Sequence, residues 1–316
     1  MDRVPYTIEL RGLDAAPGTI DATALRDLLG AIIDASGRVL RLSVEGTSTR
    51  RGPKPEWMTD STRFLITGLQ EGSTIVPIEA PRLSETAKNA VQQQDLWQSK
   101  PDADRTALTL LGEALGDIQR DERESPRYDR GVLSAVGAFG RLIGNGEQIT
   151  IRHAETNEIA FDVSHTHIQQ AERLKRDTPA PFSVVLTGNL DTIEYSQRSF
   201  ELLTDEGDTI RGAVESPEIT PQDVRELWGE DVTIQGQAHF TPAGSLRFVE
   251  TSSLRPARPE DDLFRQSKSD IEEQAAHQRP LQEQDLSAFG AGADIRAIRG
   301  TWPGDESIDE ILDALD

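Results

Sequence analysis

The C-terminal tail, residues 295–316, brings two arginines and a tryptophan close together. Arg296 and Arg299 are three positions apart, and Trp302 follows them directly before Pro303-Gly304. A guanidinium group forms charge-assisted, bidentate hydrogen bonds with carboxylates, and a tryptophan is a common apolar anchor in protein interfaces. The chemistry predicted for these residues is therefore recognition of an acidic site on a protein surface.

A short amphipathic helix is predicted directly after this tryptophan. Ser307 and Glu310 fit a capping box, with Ser307 as the N-cap and Glu310 at the third helical position. One face then carries an apolar stripe, which consists of Ile308, Ile311, Leu312 and Leu315. Such a short helix is marginal in isolation and gains stability by docking its stripe on another surface. That surface is either the body of this chain or the groove of a partner, and the polar segment before the tail favours the partner.

The tail resembles the C-terminal ends of bacterial antitoxins that pair with PIN-domain ribonuclease toxins. Gly304-Asp305-Glu306-Ser307 followed by an acidic amphipathic helix carries the likeness, which covers only the tail. PIN-domain nucleases hold magnesium with clustered carboxylates. The resemblance implies that Arg296 or Arg299 pairs with these carboxylates and displaces the metal, while Trp302 and the stripe anchor the tail. The chain departs from these antitoxins in its body, because they are small and begin with a basic DNA-binding domain.

No motif in the chain predicts catalysis. Neither a Gly-x-Ser-x-Gly nucleophile turn nor a Gly-x-x-x-x-Gly-Lys-Ser/Thr phosphate loop is present, and carboxylates are too abundant for a pair to stand out. His165 and His167 would share a face on a strand. Without cysteine or an evident third ligand, they indicate surface or capping histidines near a helix start more than a metal site. We predict a non-enzymatic protein without catalytic residues, metal or cofactor.

The charge of the chain bears on its partners. Its 316 residues include 33 Lys and Arg against 55 Asp and Glu, a formal net charge of −22. Such a surface repels phosphate and favours a basic protein partner, although the same charge also aids solubility. The absence of cysteine, of an apolar leader and of a long apolar run predicts a cytoplasmic protein with no membrane association.

The pattern of elements predicts an α+β protein of several parts. Residues 1–177 are predicted to form an α+β domain, 180–256 an OB-like barrel, 257–294 a polar flexible linker and 295–316 the interaction helix. In the first domain we predict a strand at 6–13, a helix from Asp21 to Gly37 and a strand over Val39–Glu45. A hairpin at 64–79, helices near 83–98, 104–119, 130–143 and 164–176, and a strand pair at 149–163 complete the prediction.

Residues 180–256 predict three strands, a helix and two strands, which is the order of an OB-fold. Gly188 and Gly236 fall inside predicted strands, where a small barrel needs close approach or a bend. The helix begins with Pro221 at its first position, and its predicted inner face carries Val224, Leu227 and Trp228.

An OB-like barrel raises the alternative that the chain binds single-stranded nucleic acid. That function needs a basic groove with stacking aromatic side chains, for which the candidates are Tyr195, Arg198, Phe200 and Arg211. Many acidic residues lie on the same strands and turns, and aromatic residues make up only 5% of the chain. The composition therefore favours a protein partner, either a PIN-domain-type nuclease or another basic protein.

Overall fold

The computed structural model describes residues 2–12, 20–50, 52–68, 75–92, 100–144, 146–194, 199–214 and 219–277. The chain divides into two compact units, Met1–Gln278 and Arg279–Asp316. The second unit, with the predicted C-terminal helix, lies outside the described residues. The first unit contains a sheet with helices and a closed barrel, so the predicted α+β class with a five-stranded barrel is confirmed.

The N-terminal part is built on an antiparallel sheet. Its strands are β1 (Arg3–Arg11), β2 (Leu65–Ile66), β3 (Ile75–Pro81), β4 (Gln148–His153) and β5 (Ile159–Ser164), in the order β2-β3-β1-β4-β5. Alternate residues such as Tyr6 and Ile8 are buried, as expected for an antiparallel sheet with one covered face. The predicted pairing of β2 with β3 and of β4 with β5 is confirmed.

Seven helices accompany this sheet within the described ranges. They are α1 (Ala22–Glu45), α2 (Glu56–Ser61), α3 (Leu83–Thr86), α4 (Lys88–Gln92), α5 (Ala107–Gln119), α6 (Arg130–Ala138) and α7 (His165–Asp177). Helices α1, α5, α6 and α7 contact one another, and α5 packs on β5. Their apolar faces enclose one core, in which Leu111, Tyr128 and Phe139 are fully buried. None of the helices within these ranges is long and apolar enough to cross a membrane.

Helix α1 corrects one prediction. Asp21 is the N-cap as predicted, and its carboxylate accepts hydrogen bonds from the backbone N–H groups of Thr23 and Ala24. The predicted strand over Val39–Glu45 is wrong, because the helix continues through Gly37 and ends at Gly46, which has a φ of 77°. Gly37 lies close to Met58, where an added Cβ would come within 3.0 Å of its Cε. Leu40, Leu42 and Val44 are buried in the core, so packing overrides the alternating pattern that indicated a strand.

The second part is a barrel closed by five strands. They are β6 (Phe182–Glu194), β7 (Ser199–Leu203), β8 (Thr209–Val214), β9 (Asp231–Phe240) and β10 (Leu246–Pro256), with α8 (Pro221–Glu226) between β8 and β9. The closed order is β10-β8-β7-β6-β9, in which β8 and β10 are parallel and the other pairs antiparallel. This arrangement is compatible with an OB-like fold.

Two glycines allow the strands of this barrel to approach closely. A Cβ added at Gly236 would lie 2.3 Å from the carbonyl oxygen of Glu250, and one at Gly188 would lie 2.6 Å from that of Leu203. Both glycines were predicted to serve this purpose, and the distances confirm it. The barrel core includes Leu186, Phe200, Ile210 and other apolar side chains.

The chain continues along the barrel after β10. A 3₁₀ helix spans Pro259–Phe264, and helix α9 spans Lys268–His277. Asp261 fixes the 3₁₀ helix, because its carboxylate accepts two hydrogen bonds from Arg255 and one from the hydroxyl of Thr233. Ile271 and Ala275 of α9 are fully buried in the barrel core. Part of the segment predicted as a linker, 257–294, is thus packed on the barrel.

Candidate protein-binding site

The predicted partner-binding residues all belong to the second compact unit. Arg296, Arg299 and Trp302 lie outside the described residues, as do the members of the stripe, Ile308, Ile311, Leu312 and Leu315. The site therefore stays a prediction from sequence, while the described unit shows which surfaces of the body are already used within the chain.

The barrel is joined to the N-terminal part by side chains that donate hydrogen bonds to backbone carbonyls. Arg247 of β10 donates to the carbonyl oxygens of Pro126 and Tyr128 at 2.7 and 2.6 Å. Burial lowers the pKa of Arg247, and the charge of Asp129 opposes that effect. Arg123 donates to the carbonyl oxygen of Pro242, in the turn between β9 and β10, at 2.9 Å. Charge-assisted bonds of this kind are stronger than neutral ones and fix the two parts to each other.

The N-terminal part also contacts strand β8. The guanidinium group of Arg211 lies so close to Gly46 that a Cβ added there would come within 3.2 Å of it. Arg50 donates to the carbonyl oxygen of Val214 at 3.4 Å. OB-folds bind oligonucleotides on the face of their second and third strands and with the loop between the fourth and fifth. Here β8, the third strand, and the turn between β9 and β10 both contact this chain's own N-terminal part.

The residues considered for nucleic-acid binding do not come together as stacking groups within the described part. Tyr195 and Arg198 lie outside the described residues. Phe200 is 2% exposed and belongs to the barrel core. Glu201 is paired across β7 and β8 with Arg211. Burial raises the pKa of Glu201, with Arg211 acting against this shift and Asp191 adding to it.

The two closely spaced histidines lie at the start of helix α7, not on a strand. His165 is the first residue of α7, and its Nε2 is 3.0 Å from the amide nitrogen of Gln169. His167 is buried, with its Nδ1 2.9 Å from the hydroxyl oxygen of Ser164. Burial lowers the pKa of His167, and Asp162 opposes this effect. Within the described ranges, no group of three or more His, Cys, Asp or Glu residues is arranged to hold a metal ion.

Trp228 differs from its prediction. Val224 is buried as predicted and Leu227 is half-buried, but Trp228 is 66% exposed. The physical reason is that α8 ends at Glu226, so Trp228 lies in the following turn and no longer keeps the helical direction. Its indole Nε1 donates a hydrogen bond to the carbonyl oxygen of Asp191 at 2.7 Å. A pattern extended beyond the last helical residue could not show this exposure.

At the end of the barrel that carries Trp228, one arginine binds three carboxylates. Arg265 pairs with Asp205, Asp231 and Asp262 at 2.8, 2.6 and 3.1 Å. The hydrogen bond from Arg265 lowers the pKa of Asp231. One guanidinium shared by three carboxylates leaves this group of side chains net negative.

No protein-family model matches this chain, and neither a curated protein nor a solved structure shows a significant similarity to it.

Proposed function

We propose that this chain is a non-enzymatic, cytoplasmic regulator that inhibits a PIN-domain ribonuclease through its C-terminal tail, residues 295–316. The observation that carries the proposal is the composition of the tail. Within one short segment it combines two arginines, Trp302 and a capped helix pattern with an apolar stripe.

The chemistry of such a nuclease explains why these residue types would inhibit it. A PIN-domain site concentrates carboxylates, which repel one another unless magnesium or another cation is present. Arg296 or Arg299 would supply that positive charge through bidentate hydrogen bonds and so compete with the metal. Trp302 and the apolar stripe would provide the buried area that holds the arginines in place.

The contacts of the barrel favour this proposal over nucleic-acid binding. Strand β8 and the turn between β9 and β10 are used inside the chain, as the approach of Arg211 to Gly46 and the hydrogen bond from Arg123 to Pro242 show. The formal net charge of −22 also opposes association with phosphates. A basic protein, such as a nuclease whose surface binds RNA, is a better electrostatic match.

The proposal is tested with the purified full-length chain and the protein encoded by the adjacent gene. Ribonuclease activity and complex formation are measured for the wild type, for a chain that lacks residues 295–316, and for an Arg296→Ala/Arg299→Ala variant. Ile311→Asp tests the apolar stripe, and Asp309→Asn, which changes its opposite face, is the matched control. We expect the truncation, the double variant and Ile311→Asp to abolish or strongly weaken inhibition, with little effect of Asp309→Asn. Equal inhibition by the wild type and the truncated chain would refute the proposal.

A further inference from the structure

Three large apolar side chains are exposed at one end of the barrel. Leu203, Trp228 and Leu263 are 38%, 66% and 71% exposed. Leu203 is paired across the strands with Asn189, whose side-chain amide donates to the carbonyl oxygen of Gly229, the residue after Trp228. We call this surface, defined by Leu203, Trp228, Leu263 and the ion pairs of Arg265, the tryptophan end of the barrel.

Leu263 is tied to the same end through its neighbour in the chain. It lies two residues before Arg265, which binds Asp231 and the β7–β8 turn at Asp205. Asp231 is in turn paired with Asn189 in the register of β6 and β9. The ion pairs and the strand register therefore bring residues from three separate segments to one end of the barrel.

The turn that carries Trp228 is held in place by hydrogen bonds. The backbone N–H of Gly229 donates to the carbonyl oxygen of Leu190 at 2.8 Å, and the indole of Trp228 donates to Asp191. Gly229 has a φ of 80°, a left-handed conformation that suits glycine. Since the indole is fixed before any partner arrives, little side-chain entropy is lost when it is covered.

The charge around these apolar side chains is negative. Arg265 is already shared among three carboxylates. Glu206 and Glu230 are both exposed, and neither forms an ion pair with any residue that the structure describes. A cationic side chain placed here would gain both from these carboxylates and from the face of an indole ring.

We propose that the tryptophan end of the barrel is a docking surface for a basic protein segment that also presents apolar side chains. Tryptophan is enriched among the residues that dominate binding energy in protein interfaces. The carboxylates around Trp228 select for arginine or lysine, and Leu203 and Leu263 supply additional apolar area. The residues of this surface lie outside strand β8 and the β9–β10 turn, which contact the N-terminal part. The statement that the partner is the nuclease rests on the function proposed above, whereas the docking surface itself does not.

The first test measures the affinity of full-length variants for the protein encoded by the adjacent gene. Trp228→Ala and Trp228→Ala/Leu263→Ser remove the apolar anchors, and Glu230→Lys reverses one charge. Ile159→Ser is the matched control, because Ile159 is also exposed, at 56%, but lies on the N-terminal sheet. We expect Trp228→Ala to weaken binding about tenfold or more. Glu230→Lys should also weaken binding, with a larger effect at low salt than at high salt, because salt screens the charge. Ile159→Ser should leave the affinity unchanged. Binding by Trp228→Ala equal to that of the Ile159→Ser control would overturn the proposal.

A second test does not depend on the nuclease. A synthetic peptide of alternating arginine and leucine residues is titrated into the same full-length variants by calorimetry. We expect Trp228→Ala to weaken peptide binding about tenfold relative to Ile159→Ser. If the adjacent gene product does not bind the wild type, the proposed function fails, and the peptide alone decides the docking surface. Equal peptide binding by both variants then refutes it.

Discussion

Closure of the barrel depends on the absence of a side chain at Gly236. A Cβ at this position would lie 2.3 Å from the carbonyl oxygen of Glu250 and 2.9 Å from Cγ1 of Val249. The strand pairing places Gly236 opposite Thr251, next to an irregularity in the register of β9 and β10. The obstacle is backbone, so a Gly236→Ala side chain is accommodated only if the two strands separate locally.

The expected cost follows from this geometry. Overpacking a well-packed interior costs about 1–3 kcal/mol, and we expect the upper end of that range, since the strand and not a flexible side chain must move. Gly30→Ala makes the same chemical change in helix α1, where an added Cβ meets nothing within 4 Å. That variant should gain about 0.5–1 kcal/mol, because alanine is favoured over glycine inside a helix.

Urea denaturation of both variants, followed by circular dichroism and by tryptophan fluorescence, measures the difference. In thermal unfolding followed by the same signals, a loss of about 3 kcal/mol lowers the melting temperature by roughly 6–12 °C in a domain of 150–250 residues. Gly188→Ala, which would meet the carbonyl oxygen of Leu203 at 2.6 Å, should behave like Gly236→Ala. If Gly236→Ala were as stable as the wild type, or shifted in the same direction as Gly30→Ala, the close-approach explanation would be refuted.

Three further predictions concern charged and titratable groups of the body. The hydrogen bond from Arg255 lowers the pKa of Asp261, so its stabilising contribution is complete above the unfolded pKa of about 4 and declines as the pH falls further; Asp261→Asn should remove this part of the acid dependence of urea midpoints. Burial lowers the pKa of His167, so the unfolded chain takes up its proton first, and stability should fall as the pH drops through about 6.5; a His167→Gln variant that kept this step would contradict the assignment. Arg247→Met removes two charge-assisted hydrogen bonds to backbone carbonyls and should cost about 1.5–3 kcal/mol in equilibrium unfolding, whereas Arg225→Met, on an exposed position, should cost little.

Much of the fold was predictable because local signals and long-range packing agree. Strand β8 alternates in its burial, a glycine or a proline lies in each connection from β7 to β10, and Thr220 forms the capping box that opens α8. Gly188 and Gly236 had no role in a regular strand, so their presence indicated close strand approach. These features depend on neighbouring residues, which is why the sequence contained enough information to predict them.

The errors arose where distant packing decides between two readings of the same residues. The segment Val39–Glu45 has apolar residues that fit either a strand or a helix, and only its packing in the N-terminal core selects the helix. Trp228 was predicted to face inward because the helical spacing was extended past Glu226, where α8 ends. The contacts between the two parts, such as Arg247 with Tyr128, join residues 119 positions apart and leave no local signature.

The barrel shows why a fold alone does not indicate a function. In an OB-fold that binds oligonucleotides, the second and third strands and the loop between the fourth and fifth are open to the ligand. Here an arginine of the third strand, Arg211, is placed between Gly46 and the cross-strand Glu201, and Pro242 in the corresponding turn accepts a hydrogen bond from Arg123. The N-terminal part of the chain therefore lies against barrel surfaces that such an OB-fold leaves open. The same docking leaves Trp228 and its acidic surroundings at the other end of the barrel exposed, and for that surface we propose a basic protein and not a nucleic acid, because of its negative charge.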